Sequence, residues 1–252
     1  MISRRALLTS SLALMALGPV WAATPSLTAD QILARIDQNL TFESRSSRMT
    51  MTVTKNGRVK TYEIVSYGRG AEEGASEYIS PARDAGTKML KKGDELWMYM
   101  PSVEKVQKIS GHMLRQGMMG SDLSYEDMLE SDDWRTNYNA VALPDESLGG
   151  RPCWVLDLTA KSEDVSYPRR KVWVDQAWLL PVRQELYALS GMLLKVWIMS
   201  DPKQYGERWY PMKMTVEDKL QQGSKTEIVF TEMLFSVPLE EEIFTTRWLE
   251  RR

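Results

Sequence analysis

The sequence predicts a mainly β protein with few helices (α+β), built as one antiparallel sheet large enough to curl. Three observations carry that expectation. Period-two apolar runs follow one another from Met49 to Leu234, separated by Gly, Pro, Asn and Asp turn signals at regular spacing. One interruption, Gly111 to Trp134, breaks the series with glycines, methionines and no alternation. Finally, the strand Leu96–Met100 is bulky and apolar on both faces, Trp97 and Tyr99 on one and Leu96, Met98 and Met100 on the other. Each of its faces needs a neighbour. A sheet of roughly ten strands usually curls, and its concave side would then be an apolar face covered by helices.

The chain opens with Arg4 and Arg5, an apolar run from Leu7 to Leu17 and the small-x-small signal Val20-Trp21-Ala22. Residues 1–22 read as a cleaved signal peptide, the apolar run being too short to span a bilayer. The mature chain, 23–252, is expected to be one domain in the periplasm of a Gram-negative host, with no membrane span. Export is by the general route, or by the twin-arginine route that Ser3-Arg4-Arg5-Ala6-Leu7-Leu8 resembles. No Cys follows the cleavage point closely enough to make the protein itself a lipoprotein.

Thr28 and Gln31 have capping-box spacing, and Ile32, Leu33, Ile36 and Leu40 share one face, predicting a helix that ends near Thr41. Met49, Met51 and Val53 alternate with threonines as a half-buried strand; Asn56-Gly57 turns it back into Val59 to Tyr67. A polar loop from Gly68 to Gly74 and a short strand through Tyr78 and Ile79 lead to a break at Pro81. Thr87–Leu90, Leu96–Met100 and Val103–Ile109 come next. The second half of the interruption can be helical, with Ser124 and Asp127 at capping spacing, and the whole segment reads as a mobile crossover lying over the sheet. Strands resume over Arg135–Leu143, Cys153–Ala160, Lys171–Val174, Pro181–Leu189, Met192–Met199, Trp209–Val216 and Thr226–Leu234. Their turns are Gly149-Gly150, Asp175-Gln176, Ser190-Gly191, Asp201-Pro202 and Gln222-Gly223. Pro238 to Leu249 predicts a short final helix packing Ile243, Phe244 and Trp248.

Without Arg4 and Arg5 the balance is 30 basic to 34 acidic residues, a net charge of −4, which argues against nucleic acid as a partner. Cys153, the single cysteine, has no intramolecular disulfide partner, so stability rests on core burial. Sixteen methionines against four phenylalanines suit apolar walls that accept variable shapes.

Catalysis needs a nucleophile with a base beside it. His112 is the only histidine, there is no G-x-S-x-G, and Gly68-Arg69-Gly70 does not open a helix as a phosphate loop would. Acidic pairs such as Glu72-Glu73, Asp132-Asp133 and Glu240-Glu241-Glu242 read as solvated loops and helix ends. His112-Met113 with Met118-Met119 has the donor types of a Cu(I) site, but lacks Met-x-x-Met repeats and a second histidine; lid contacts explain the same methionines better. No enzyme, metal or cofactor is expected. The residues favour a carrier or binding protein.

Gly93-x-x-Leu96-Trp97-x-Tyr99-x-Pro101-x-Val103-Glu104 resembles the strand–turn–strand of the LolA-like outer-membrane lipoprotein-sorting family. So do Gly86-Thr87-Lys88-Met89-Leu90, the run Met119-Gly120-Ser121-Asp122-Leu123-Ser124-Tyr125-Glu126-Asp127 and the Pro238–Leu249 ending. The resemblance spans essentially the whole mature chain and implies an unclosed LolA/LolB-like β-barrel with a helical lid over an apolar cavity. It also implies a non-catalytic role, shielding the acyl chains of a lipid or lipoprotein on the way to the outer membrane. The group often accompanies RND-type inner-membrane transporters, which makes such a transporter an expected partner; the alternative role is a docking module of that transporter with no lipid of its own. The family carrier's functional arginine precedes a proline after an early strand; Ser80 stands before Pro81 here, and Arg83 is not the matching position. The expected lipid-binding residues are Leu96, Trp97, Met98, Tyr99, Met100, Met113, Met118 and Met119, with the inward-facing set of 96–100 left open because a one-residue slip reverses the faces.

Overall fold

The structure, a computed structural model, describes residues 27–129 and 134–251. The expected leader at 1–22 lies outside the described residues. Helix α1 spans Ala29–Leu40 behind the anticipated capping box: Gln31 N–H donates to the Thr28 hydroxyl at 3.2 Å and Thr28 N–H to Gln31 Oε1 at 2.9 Å.

Among the described residues there are thirteen strands: β1 (Ser44–Lys55), β2 (Arg58–Arg69), β3 (Glu73–Ser80), β4 (Lys88–Lys92), β5 (Glu95–Met100), β6 (Lys105–Ile109), β7 (Tyr138–Leu148), β8 (Arg151–Ala160), β9 (Arg169–Asp175), β10 (Pro181–Tyr187), β11 (Leu193–Tyr205), β12 (Arg208–Asp218) and β13 (Lys225–Phe235). All belong to one curved, unclosed antiparallel sheet in the order β6-β5-β4-β3-β2-β1-β13-β12-β11-β10-β9-β8-β7. Every neighbour is a neighbour in sequence except β1 and β13, which pair in the middle. The first and last strands therefore close on each other, and the sheet opens between β6 and β7. Unpaired edges invite association; here β6 carries Lys105 and Lys108, and β7 carries Pro144, Asp145 and a register shift between Leu143 and Glu146. The described part of the interruption, 111–129, thus follows β6 at the opening of the sheet.

Local chemistry accounts for most boundaries. Asn56 and Gly57 take φ of 51° and 70°, the left-handed pair of a tight hairpin turn. Two expectations need correction. Residues 135–137, read as strand, belong to helix α3 (Trp134–Asn137), whose buried Trp134 packs on α1. Asp201-Pro202, read as a turn, lies inside β11: Pro202 stands opposite Pro211 of β12, Asp201 takes φ of 52°, and the reversal comes at Tyr205–Arg208. A proline pair that faces itself across two strands asks for no ladder N–H from either residue.

The sheet is covered on both faces. On the concave side Ile32, Leu33 and Ile36 of α1 pack on Leu156, Leu158, Val172 and Val174. Asn39 latches the helix end, donating to the carbonyls of Trp178 and Leu179 at 3.0 and 3.2 Å and accepting from Trp209 N–H at 2.7 Å. On the convex side a 3-10 turn (Glu241–Phe244) and helix α4 (Thr246–Glu250) press Phe244, Trp248 and Leu249 on Ala75 and Leu90. Buried Lys88 holds this ending, its ammonium donating to the carbonyls of Arg251 (2.7 Å) and Trp248 (3.3 Å), the cation position that helix C-termini favour. No helix among the described residues is long and apolar enough to cross a membrane.

Acid should loosen the far end of the sheet. The Asp175 carboxylate, 1% exposed, accepts from Arg151 Nε (2.5 Å) and Nη2 (2.9 Å) and from the N–H groups of Ala177 and Trp178. Burial opposes its ionisation, but these donors prevail and hold its pKa below the usual carboxylate range; Glu185, bonded by Tyr187 and Arg183, is lowered too. A carboxylate lowered on folding contributes stability above its unfolded pKa, about 3.9 for Asp, and loses it as pH falls through the folded value. The urea midpoint should hold between pH 7 and pH 5 and decline below about pH 4, less steeply in Asp175→Asn; a midpoint that rises on acidification contradicts this assignment.

Candidate functional site

Between the concave face, the end of α1 and the crossover lies a cavity of about 650 Å³. Eight methionines line it, Met49, Met51, Met89, Met118, Met128, Met199, Met214 and Met233, with Ile36, Leu40, Ile64, Leu96, Leu123, Trp134, Trp197, Ile228 and Phe230. Long unbranched thioethers give a wall that refits to different apolar shapes without creating voids.

The crossover is a lid of short pieces: 3-10 turns at Gly111–Arg115 and Met118–Gly120, then helix α2 (Tyr125–Leu129). Its apolar side chains enter the core, with Met118, Leu123 and Tyr125 buried against Met51, Tyr62, Tyr78, Met89, Leu96 and Met98. Gly117 is required by contact: a Cβ there would meet the Ser121 carbonyl oxygen at 2.3 Å. Two carboxylates fasten the lid to the far half of the sheet. Asp122 accepts from the hydroxyls of Ser224 and Thr226 on the entry to β13, and its own N–H donates to the Thr226 hydroxyl at 2.9 Å. Asp127 accepts from Lys195 Nζ of β11 (2.5 Å), the Tyr167 hydroxyl (2.5 Å) and Ser124 N–H (2.7 Å), while the Ser124 hydroxyl accepts from Asp127 N–H at 3.2 Å. The capping pair of the sequence reading is thus formed, and its carboxylate also bridges lid to sheet.

The two-sided strand divides its faces cleanly. Leu96 is buried and lines the cavity; Met98 is buried beside it, its sulfur 3.5 Å from the Tyr125 hydroxyl, and Met100 packs on the same cluster. Trp97 and Tyr99 lie on the opposite, convex face under the C-terminal segment, so they support the wall and do not line the cavity. In the lid, Met118 lines the cavity, while Met113 and Met119 are half-buried against the same core; the Met119 carbonyl accepts from the Tyr62 hydroxyl at 3.2 Å. His112 is exposed, and among the described residues no three His, Cys, Asp or Glu side chains cluster as metal ligands would.

Most of the lining comes from strands the sequence reading did not single out. The available signal was the repeat of methionine at alternate positions, Met49 with Met51 and Met212 with Met214, which marks one face of a strand without saying which way it points.

Comparison with known proteins agrees with this architecture. A protein-family model described only as that of an uncharacterized protein matches residues 70–251. The chain is similar to the crystal structure of a DUF1329 family protein from Desulfovibrio piger, with 27% identity, a TM-score of 0.80 and coverage of 86% of this chain and 96% of that one. It is similar to a putative outer membrane lipoprotein-sorting protein domain from Vibrio parahaemolyticus, at 24% identity and a TM-score of 0.77 over 86% and 96% of the two chains. A LolA superfamily protein from Nitrosomonas europaea is similar at 25% identity and a TM-score of 0.73, over 88% of this chain and 100% of that one. No curated protein gives a significant sequence match.

Proposed function

This chain belongs to the family whose model matches residues 70–251 and shares the fold of a LolA superfamily protein, and from that we propose that it is a periplasmic carrier that shields the acyl chains of a lipid or lipoprotein on the way to the outer membrane. The observation that carries the reading is the lidded, methionine-lined cavity of about 650 Å³, inside the size range of ligand-holding cavities, about 300–1,000 Å³. Each acyl methylene moved from water into such a wall is worth about 0.8 kcal/mol, so about a dozen would supply roughly 10 kcal/mol. The chemistry is partition, not catalysis, and the residues read as lipid-binding are Leu96, Met98, Met100, Met113, Met118 and Met119, with Trp97 and Tyr99 backing the wall. The handing-on partner, an RND-type inner-membrane transporter, rests on the family resemblance alone.

Native mass spectrometry of protein purified from the periplasm without detergent tests the proposal. Lipid-sized adducts that delipidation removes and a fluorescent fatty acyl probe replaces are expected. A clean apo mass with no probe uptake overturns it, and leaves the docking module without cargo as the reading to pursue.

A further inference from the structure

The exposed apolar residues of this protein gather at one end of the sheet. Among the described residues, Val59, Ile79, Val103, Leu189, Met192 and Leu220 all lie in or beside turns at that end, while Val141, Val229 and Leu234 sit along strands. Four of the six stand on three hairpins that follow one another in the sheet order. Val59 is beside the β1–β2 turn, Leu220 in the β12–β13 turn, and Leu189 and Met192 in the β10–β11 turn. The register sets these turns side by side: Thr54 of β1 pairs with Lys225 of β13, and Lys219 N–H, just past β12, donates to the Leu194 carbonyl of β11 at 2.8 Å. Leu189 is 90% exposed, Val59 63%, Leu220 60% and Met192 51%. Such a grouping of bare apolar side chains marks an interaction surface.

Charge on the same row points to the partner. Lys55, Arg58 and Lys60 surround the β1–β2 turn, and none of them makes an ion pair among the described residues. The acids of the row are already engaged. Glu217 holds Lys219 (2.5 Å), Glu227 holds Lys213 (2.8 Å) and Lys225 (3.2 Å), and Asp218 accepts from Leu220 N–H at 2.8 Å. Asp84, Glu104, Glu163 and Asp164 stand on other loops of this end, outside the row. A folded protein partner needs a broad, closely packed contact. Separate side chains on the tips of tight turns suit instead a fluid apolar phase that closes around each one, with cations beside them for anionic headgroups.

We propose that this row of hairpins docks the protein on a bilayer surface containing anionic phospholipid. Leu189, Met192 and Leu220 enter the interface, and Lys55, Arg58 and Lys60 meet the headgroups. The docking end is also the end where the lid is held: Ser224 and Thr226, which bind Asp122, follow the β12–β13 turn, and Lys195, which binds Asp127, follows the β10–β11 turn. Docking of this kind does not depend on what the cavity holds.

The test is flotation of the full mature chain with vesicles of phosphatidylcholine alone, or of equal parts phosphatidylcholine and phosphatidylglycerol, at low and high salt. The chain should float with the anionic vesicles, bind the neutral ones more weakly, and lose that difference at high salt. Leu189→Ser with Leu220→Ser should lower partition at least about tenfold on both compositions. Lys55→Gln with Arg58→Gln and Lys60→Gln should bring the anionic vesicles to the level of the neutral ones. Leu234→Ser, also exposed but at the opposite end of β13, should change nothing. None of these side chains is in the core, so each variant should melt with the parent, which shows that it folds. A parent that stays in the soluble fraction overturns the inference, as does self-association through these tips in place of flotation. So does a leucine variant that partitions like the parent, or a Leu234→Ser loss as large as theirs. Loss of fluorescent acyl uptake with flotation intact leaves docking in place and overturns carriage instead.

Discussion

Replacing Asp127 with alanine is expected to cost the fold about 3–5 kcal/mol, the range for removing one partner of a buried ion pair. The pair qualifies: the Asp127 and Lys195 side chains are 1% and 13% exposed, 2.5 Å apart. The same carboxylate also binds the Tyr167 hydroxyl and Ser124 N–H. The loss should appear as a lower urea midpoint at unchanged m-value, and the amides of the lid, 117–125, should exchange faster with solvent. Asp127→Ala combined with Lys195→Met should recover part of the loss, since an apolar pair leaves no uncompensated charge. A single-mutant loss below about 1 kcal/mol, the value of an exposed pair, would remove Asp127 as a fastening of the lid.

Phe244→Ala should be of similar size, about 3–5 kcal/mol for deleting a buried aromatic ring. Phe244 is 1% exposed, packed with Ala75, Leu90, Trp248 and Leu249, and Arg69 lies 4.7 Å above its ring. At roughly 2–4 °C per kcal/mol for a domain of this size, calorimetry should show a melting temperature lower by at least about 6 °C. The site gives this substitution a second reading. Because the C-terminal segment covers the convex face over Trp97 and Tyr99, acyl uptake measured well below the new midpoint should match that of the parent. Loss of uptake in folded protein would place the convex face in cargo binding after all.

The amino-acid order alone determined the local pieces. Thr28 with Gln31 made a capping box, Asn56-Gly57 a hairpin turn, and the alternating methionines and threonines of 49–54 a strand, because each rests on contacts only a few residues apart. It also announced the lid, since Gly111–Trp134 lacks any strand alternation, and a covered cavity in outline, through family-like motifs around 93–104 and 119–127. Pro202 and residues 135–137 misled because turn and strand preferences gave way there to a partner strand and to packing on α1.

Only the tertiary structure decided the rest. That β1 pairs with β13, so that the sheet opens between β6 and β7, depends on residues nearly two hundred positions apart. That Asp122 and Asp127 are fastenings depends on Ser224, Thr226, Tyr167 and Lys195, which no spacing connects to them. And the strand Leu96–Met100, apolar on both sides, could not say which side faced the cavity. Alternation divides a strand into two faces but carries no sign; the sign comes from what is laid on each face, here the lid over Leu96, Met98 and Met100 and the C-terminal helix over Trp97 and Tyr99.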